Sequence, residues 1–249
     1  KGYMIVLSDE GWLVKNGYND GVFDLNTGII SFRDDTSVSL AGAIIYIHGN
    51  PGENGKIQAL LDMLKIPYVN ANVLASALSF DKWYCNQFLK SFGIPVANSV
   101  LLKVDEDINE EELIQTLGLP IFVKPTDSGS SYGISKVKKA EDLRIAIDTA
   151  FKEGRTIVLE SFLNGIEVTC GVFRDKTELT ALPLTEIVSE NEFFDYEAKY
   201  QGKSNEITPA RISDELTTNI QKEAKRIYQL LNLKSIARID FMLVGETPY

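Results

Sequence analysis

The stretch IFVKPTDSGSSYGISKV, residues 121–137, decides the fold. Two short apolar, β-prone runs at 121–123 and 134–137 enclose a loop of glycine and serine, which predicts two strands joined by that loop. Such loops bind polyphosphates, because glycines let backbone amides approach a ligand, serines add hydroxyl donors and a lysine adds positive charge. The residues concerned are Lys124, Ser128, Gly129, Ser130, Ser131 and Gly133. Taken alone, the loop could equally be a solvated hairpin turn.

Three sharper loop motifs compete for these residues. A Walker loop needs GxxxxGK[ST] before a helix and a dinucleotide fingerprint needs GxGxxG, and neither spacing occurs here. Residues 129–133 do spell GxSxG, the nucleophile elbow of α/β hydrolases, with Ser131 as the nucleophile. That elbow leads into a helix and needs a later histidine, whereas a strand is predicted to follow and the single histidine, His48, lies upstream. The hydrolase is therefore a disfavoured alternative.

The composition restricts the partners. With a formal net charge of −10, a broad surface for nucleic acid is not expected, so locally placed cations such as Lys82, Lys124 and Arg238 must hold any anionic ligand. Two cysteines, Cys85 and Cys170, are too few for a disulfide framework or a metal cluster, which favours the reducing cytoplasm. No run of about 18 apolar residues and no signal-peptide pattern occurs, so we expect no membrane partner. Both ends of the sequence look unfinished, and we expect the natural protein to continue beyond them.

Strands alternate with helices along the chain, which predicts an α/β fold. We expect a meander over residues 4–32 and, at 43–47, a strand buried on both faces as in a parallel sheet. We expect a single helix over 72–92 that runs through Asp81 and Lys82, with a domain boundary near Leu78. Further elements are predicted as helices at 110–117, 140–151 and 213–232 and strands at 66–70, 156–160, 166–173 and 235–243.

Several charged residues stand in otherwise apolar strands. Glu160 ends one strand, and Glu167 points to the face opposite its apolar neighbours, although a solvated sheet edge would explain each of them. Arg238 and Asp240 share one face of the last strand; a surface ion pair is possible there, but two charges amid apolar residues favour a metal or an anion. The aromatic segment at 192–200 suits a mobile lid.

Seven segments carry a resemblance when they are taken together. They are HGNPGENG at 48–55, DK at 81–82, KPTDSGSSYGISKV at 124–137, LES at 159–161, GIE at 165–167, EFFDYEAKY at 192–200 and RIDFML at 238–243. This set resembles the ATP-grasp ligases and, within them, the D-alanine–D-alanine ligase family, in the same order from residue 43 to residue 249. The resemblance implies an ATP-grasp fold with an incomplete amino-terminal, parallel-sheet α/β substrate domain at 1–77. A central ATP-grasp subdomain at 78–164 and an incomplete carboxy-terminal one at 165–249 would follow.

The same resemblance implies a phosphate-binding set. Lys82 and Lys124 would hold the α and β phosphates of ATP, and Lys199 would approach the γ phosphate. The backbone amides around Ser130 and Ser131 would cover the phosphate that is transferred.

At the other end of the nucleotide, Glu160, Phe162 and Leu163 would flank adenine and Glu167 would bind the ribose hydroxyls. Asp240 would be one ligand of a pair of Mg²⁺ ions, with Mn²⁺ as the alternative, because hard oxygen donors suit such ions.

The implied reaction is an ATP-dependent, ADP-forming ligation of two D-alanine molecules through an acyl phosphate, for peptidoglycan synthesis. Arg238 would stabilise the oxyanion, Tyr200 would close over the second substrate towards Ser130, and His48 with Glu53 would flank the first D-alanine. A homodimer is also implied.

The departures leave alternatives open. The family's amino-terminal GGxS segment and its last two metal ligands, a glutamate and an asparagine, lie outside this sequence, and Tyr132 stands where the family commonly has valine. Another ATP-grasp ligase of a carboxylate and an amine, or a non-catalytic ATP-binding relative, therefore stays open beside the D-alanine ligase.

Overall fold

A computed structural model describes residues 1–17, 19–128, 133–176, 178–189 and 204–249. The chain divides into two compact units, Lys1–Val73 and Leu74–Tyr249. Within the described ranges no helix is long and apolar enough to cross a membrane. The domain ranges 1–77, 78–164 and 165–249 stay predictions.

The first unit opens with an antiparallel five-stranded meander in the strand order β1-β2-β3-β4-β5. Its strands are β1 (Met4–Ser8), β2 (Gly11–Lys15), β3 (Gly21–Phe23), β4 (Ile29–Phe32) and β5 (Ser37–Ser39), and helix α1 (Lys56–Met63) follows them in the same unit. Val14, Phe23 and Ile30 are buried on one side of it, since alternate residues of a strand face the same side. The predicted meander is confirmed and extends by one strand.

The run at 43–47 corrects the sequence prediction. Ile45 is buried, but Ile44 and Tyr46 are 75% and 88% exposed, so the run is not covered on both faces. A side chain takes the place of a neighbouring strand at Ile45. The Ile45 amide donates to Asn70 Oδ1 at 2.8 Å, and Asn70 Nδ2 donates to the Ile45 carbonyl at 2.9 Å. Among the described residues the predicted parallel sheet is reduced to one parallel bridge between Ala43 and Tyr68. An apolar run alone does not report how many of its faces are covered.

The predicted helix over 72–92 is two helices, α2 (Val73–Phe80) and α3 (Lys82–Ser91). Asp81 separates them, because its backbone is extended and its carboxylate accepts hydrogen bonds from the amides of Trp83 and Tyr84, both at 3.0 Å. An aspartate in this position caps a new helix. Lys82 is therefore the first residue of α3 rather than an interior helical residue.

The second unit contains two sheets. The first is antiparallel with four strands, in the order β6-β9-β7-β8. The elements that form and flank this sheet are β6 (Ser99–Lys103), α4 (Glu110–Leu117), β7 (Ile121–Pro125), β8 (Ser135–Val137), a 3₁₀ turn (Ala140–Asp142), α5 (Leu143–Ala150) and β9 (Thr156–Ser161). Ile121 pairs with Val137, which confirms the predicted strand, loop and strand. A strand after the loop also removes the hydrolase elbow, which requires a helix there.

The second sheet has six strands, in the order β13-β12-β10-β14-β15, with β11 also paired to β10. Its elements are β10 (Ile166–Asp175), β11 (Glu178–Ala181), β12 (Thr185–Ser189), β13 (Ser204–Ile207), α6 (Asp214–Leu230), β14 (Ile236–Val244) and β15 (Thr247–Pro248). Helix α6 packs Ile220, Ala224 and Ile227 against the apolar face of β10 and β14. The opposite face carries Arg238 and Asp240, as the alternation predicts.

Candidate functional site

A cleft of about 420 Å³ in the second unit is lined by residues of both of its sheets and of α3. Six of the predicted site residues line it: Lys124, Glu160, Leu163, Glu167, Arg238 and Asp240. Sequence reasoning missed several others, among them Asn86, Phe122, Ile134, Met242 and Tyr249. A cavity of this size with a few convergent charged groups is the usual form of a small-molecule site.

Lys124 and Glu160 form an ion pair on the cleft wall. Phe122 of β7 lies opposite Glu160 of β9, so Lys124 is the diagonal neighbour of Glu160 on the same face. The Lys124 ammonium is 2.5 Å from Glu160 Oε2, and the two side chains are only 22% and 9% exposed. The solvated-edge alternative for Glu160 is therefore wrong. The pair gives the cleft one partly buried positive group and one buried negative group.

Asn86 binds the other oxygen of the same carboxylate. Its amide donates from Nδ2 to Glu160 Oε1 at 3.3 Å. Asn86 lies one turn after Lys82 on α3, and residues four apart share one face of a helix. The spacing of Lys82 and Asn86 is visible in the sequence, but it does not identify Glu160 as the partner of Asn86, because that contact depends on the position of β9.

Lys82 lies where β7 ends and the Gly/Ser loop begins. Its ammonium donates to the carbonyl oxygens of Pro125 at 3.2 Å, Thr126 at 3.3 Å and Ser128 at 2.7 Å. Burial, together with repulsion from Lys124, lowers the pKa of Lys82 to about 8, while nearby carboxylates oppose the shift. A partly desolvated cation at this place gains by meeting an anion.

The Phe162 ring lies close to the Phe122 ring and to the Lys136 ammonium. The two ring centroids are 6.0 Å apart, and Lys136 Nζ is 3.9 Å from the centre of the Phe162 ring. This distance is within the range of a cation–π contact. Sequence reasoning missed Lys136, which the pairing of β7 with β8 sets opposite Phe122.

Arg238 and Asp240 form an ion pair, which the sequence left open as the alternative to a metal or anion site. Arg238 Nε and Nη2 donate to the two carboxylate oxygens of Asp240 at 2.8 and 3.0 Å. This contact raises the pKa of Arg238, and Glu167 and Glu206 add to the rise. Among the described residues no group of three acidic, histidine or cysteine side chains could hold a metal ion. Asp240 as a metal ligand remains a prediction.

His48 lies in the first unit, in an exposed position at the start of the loop 48–55. That loop is braced internally, because the Gly49 amide donates to Glu53 Oε2 at 2.6 Å and Asn50 Oδ1 accepts from Asn54 and Lys56 at 2.8 and 2.9 Å. The structure thus places His48 in an ordered loop of its own unit, and its role stays a prediction.

Four predicted site residues lie outside the described residues: Ser130, Ser131, Lys199 and Tyr200. The predicted lid at 192–200 lies outside them as well. Their roles stay predictions.

Comparisons with known proteins agree on one family. The family model described as "D-ala D-ala ligase C-terminus" matches residues 88–248. A D-alanine–D-alanine ligase of Parabacteroides distasonis is 50% identical over 204 residues, which are 82% of this chain and 62% of that protein. A ligase of the same name from Flavobacterium johnsoniae is 45% identical over 255 residues, which are 100% of this chain and 77% of that protein.

A solved structure is similar throughout the chain. The D-alanyl-alanine synthetase A of Vibrio cholerae superposes with a TM-score of 0.86 at 26% sequence identity, covering 98% of this chain and 75% of the other. The chain thus spans 62% to 77% of the length of the relatives that it matches. The likeness confirms the predicted ATP-grasp architecture.

Proposed function

Because the chain belongs to the D-alanine–D-alanine ligase family, we propose that the full-length protein joins two D-alanine molecules with the use of ATP. In this reaction the carboxylate of the first D-alanine accepts the γ-phosphoryl group and ADP leaves. The amine of the second D-alanine then attacks the acyl carbon and phosphate leaves. The observation that carries the proposal is the cleft in which Lys124, Glu160, Glu167, Arg238 and Asp240 converge.

The charges of the cleft fit a nucleotide. Its volume of about 420 Å³ lies within the range of small-molecule sites. Glu160 and Leu163, with Phe162 nearby, would face the base, and Glu167 would face the ribose hydroxyls. Lys82 and Lys124 would face the phosphates, together with the amides around Ser130 and Ser131 and the side chain of Lys199.

The phosphates would give the Lys82 ammonium anionic hydrogen-bond partners in place of neutral carbonyl oxygens. Three carbonyl oxygens now accept its hydrogen bonds, and its pKa is depressed by burial and by Lys124. Charge-assisted bonds to phosphate are stronger than bonds to neutral carbonyls. Exchange of partners would therefore favour nucleotide binding.

A divalent cation, Mg²⁺ or Mn²⁺, is proposed as the second component. The donor set that the described residues offer is small, because Asp240 is a single carboxylate and both of its oxygens accept from Arg238. These residues do not hold a cation by themselves, and Mg²⁺ is commonly bound by one or two carboxylates together with substrate phosphates.

Arg238 is the proposed oxyanion donor. A guanidinium has five N–H donors, and two of them are directed at Asp240. The remaining donors would stabilise the oxygen that becomes negative when the amine attacks. Asp240 would orient the guanidinium meanwhile. From the family resemblance alone, His48 is proposed to flank the first D-alanine and Tyr200 to close over the second.

The test is the release of ADP and phosphate by the full-length protein, measured with and without D-alanine and with and without a divalent cation. We expect release only when both are present, and poor substitution by L-alanine. Equal ATP hydrolysis without D-alanine would overturn the proposal. Product analysis with D-alanine, D-serine and D-lactate in competition would identify the second substrate and reveal another carboxylate–amine ligase.

A further inference from the structure

We propose that Asn86 is a positioning residue that orients the Glu160 carboxylate and thereby sets the preference for adenine over guanine. The inference rests on the proposed nucleotide site, and it concerns a residue that does not touch the reacting atoms. Two hydrogen bonds hold the Glu160 carboxylate.

Each oxygen of Glu160 has a different donor. Lys124 lies 2.5 Å from Oε2, and Asn86 Nδ2 lies 3.3 Å from Oε1. A flexible lysine alone could be shared between both oxygens and would leave the plane of the carboxylate free to turn. A second donor on the other oxygen fixes that plane, since two donors at separate oxygens define an orientation.

The fixed carboxylate keeps the capacity to accept from a ligand. An ionised carboxylate has about four acceptor positions. Among the described residues the contacts from Lys124 and Asn86 use two of them. Glu160 lines the cleft, so a remaining acceptor position is available to a bound base.

An acceptor-only group selects among bases. The exocyclic amine of adenine donates hydrogen bonds, whereas guanine has an acceptor oxygen at the same ring position. A site that requires a donor rejects an analogue that places an acceptor there, because a buried group would be left unpaired. The discrimination depends on the direction of the carboxylate and therefore on Asn86.

Helix α3 carries both Asn86, which orients the Glu160 carboxylate, and Lys82, which is proposed to bind the phosphates of the nucleotide. Asn86 follows Lys82 by four residues, and the Lys82 ammonium donates to Ser128 at 2.7 Å where the Gly/Ser loop begins. One face of α3 thus carries a group for each end of the nucleotide. The helix is anchored at its start, where the Lys82 amide bonds Thr126 at 2.9 Å.

The neighbouring residue offers a matched control. Gln87 Nε2 donates to Ser99 Oγ on β6 at 3.2 Å. Gln87→Leu removes an amide hydrogen bond between α3 and the same sheet; the bonded residue, Ser99, pairs with Glu160 along the backbone, but the bond does not involve the Glu160 carboxylate. Asn86→Leu removes the donor to Glu160 at similar size, and Asn86→Gln restores a donor.

The experiment measures the affinities of the full-length proteins for MgATP and MgGTP by calorimetry, with KM for ATP, kcat and melting temperature. We expect Asn86→Leu to bind ATP about threefold to tenfold more weakly, as for the loss of one hydrogen bond, with a smaller ATP/GTP ratio and kcat retained. Asn86→Gln should recover part of the ratio, and Gln87→Leu should keep all of it.

Three outcomes would overturn the inference. If Asn86→Leu lowers the melting temperature as Gln87→Leu does but keeps the ATP/GTP ratio of the wild type, Asn86 is structural only. If the wild type binds both nucleotides equally, Glu160 does not select the base. A wild type that binds neither nucleotide would overturn the proposed function as well, so the two failures are distinguishable.

Discussion

Lys124 and Glu160 meet across two antiparallel strands as diagonal neighbours, with 2.5 Å between the ammonium nitrogen and the carboxylate oxygen. Because Glu160 is only 9% exposed, neither partner can be removed without leaving a charge in a poorly solvated place. The pair therefore serves the stability of the four-stranded sheet and the proposed binding of nucleotide together.

Lys124→Met should weaken ATP binding and lower the free energy of unfolding. Truncating one partner of a buried, hydrogen-bonded charge pair costs roughly 2 to 5 kcal/mol, which is tens to thousands of fold in affinity. The double variant Lys124→Met/Glu160→Gln should be more stable than the single one, because no unpaired carboxylate remains. Calorimetry measures the ATP affinity and chemical denaturation measures the free energy of unfolding. Lys103→Met, on the exposed side of β6, is the control for both. Equal stability of single and double variants would contradict the coupling.

ATP affinity should fall as the pH rises through about 8, where Lys82 loses its proton in the free protein. Phosphate stabilises the ammonium and raises the pKa of Lys82 in the complex, so binding takes up a proton in this range. Calorimetry in buffers of different ionisation enthalpy measures that uptake. Lys82→Met should bind weakly with a flatter pH profile, and an unchanged profile would show that another group titrates.

The Lys82 ammonium also makes the free energy of unfolding depend on pH, in the direction opposite to its effect on ATP affinity. In the unfolded chain Lys82 keeps its proton up to its ordinary pKa of 10.5, whereas in the folded chain it loses it at about 8. The unfolded state thus binds more protons between these values, so the contribution of Lys82 to the free energy of unfolding rises with pH across that window. Denaturation of wild type and Lys82→Met across the window should show the difference, and parallel curves would contradict it.

Local chemistry made part of this fold predictable. Apolar runs on both sides of the Gly/Ser loop predicted β7 and β8, and alternation along 235–243 placed Arg238 and Asp240 on one face. The split at Asp81 was missed, because an aspartate inside an apolar pattern looks like a polar helical residue until its cap bonds are seen. Asn86 was missed for a different reason, since its partner Glu160 lies 74 residues away.

Gly165→Ala should destabilise the protein, because a Cβ atom at this position would overlap the carbonyl of Leu243 on the paired strand β14. Overpacking of this kind costs roughly 1 to 3 kcal/mol. Gly154→Ala is the matched control, since its nearest neighbour, Asp127 Oδ1, is at an ordinary 3.4 Å. Thermal denaturation compares the two. A tolerated alanine at 165 would show that β10 and β14 separate easily at this end.

Arg238→Lys should lower kcat far more than it lowers ATP affinity. A lysine keeps the charge but loses the fork that donates to both oxygens of Asp240 at 2.8 and 3.0 Å, so the remaining donors are no longer aimed. Removal of one donor to a developing oxyanion typically costs about 10² to 10³ in kcat. Asp240→Asn tests the partner, and as a predicted metal ligand it should instead raise the concentration of divalent cation needed for turnover. Arg226→Lys is the control, because Arg226 bonds Glu223 and the carbonyl of Phe92. If Arg238→Lys changes the cation requirement and keeps kcat, Arg238 acts through Asp240 and is not the oxyanion donor.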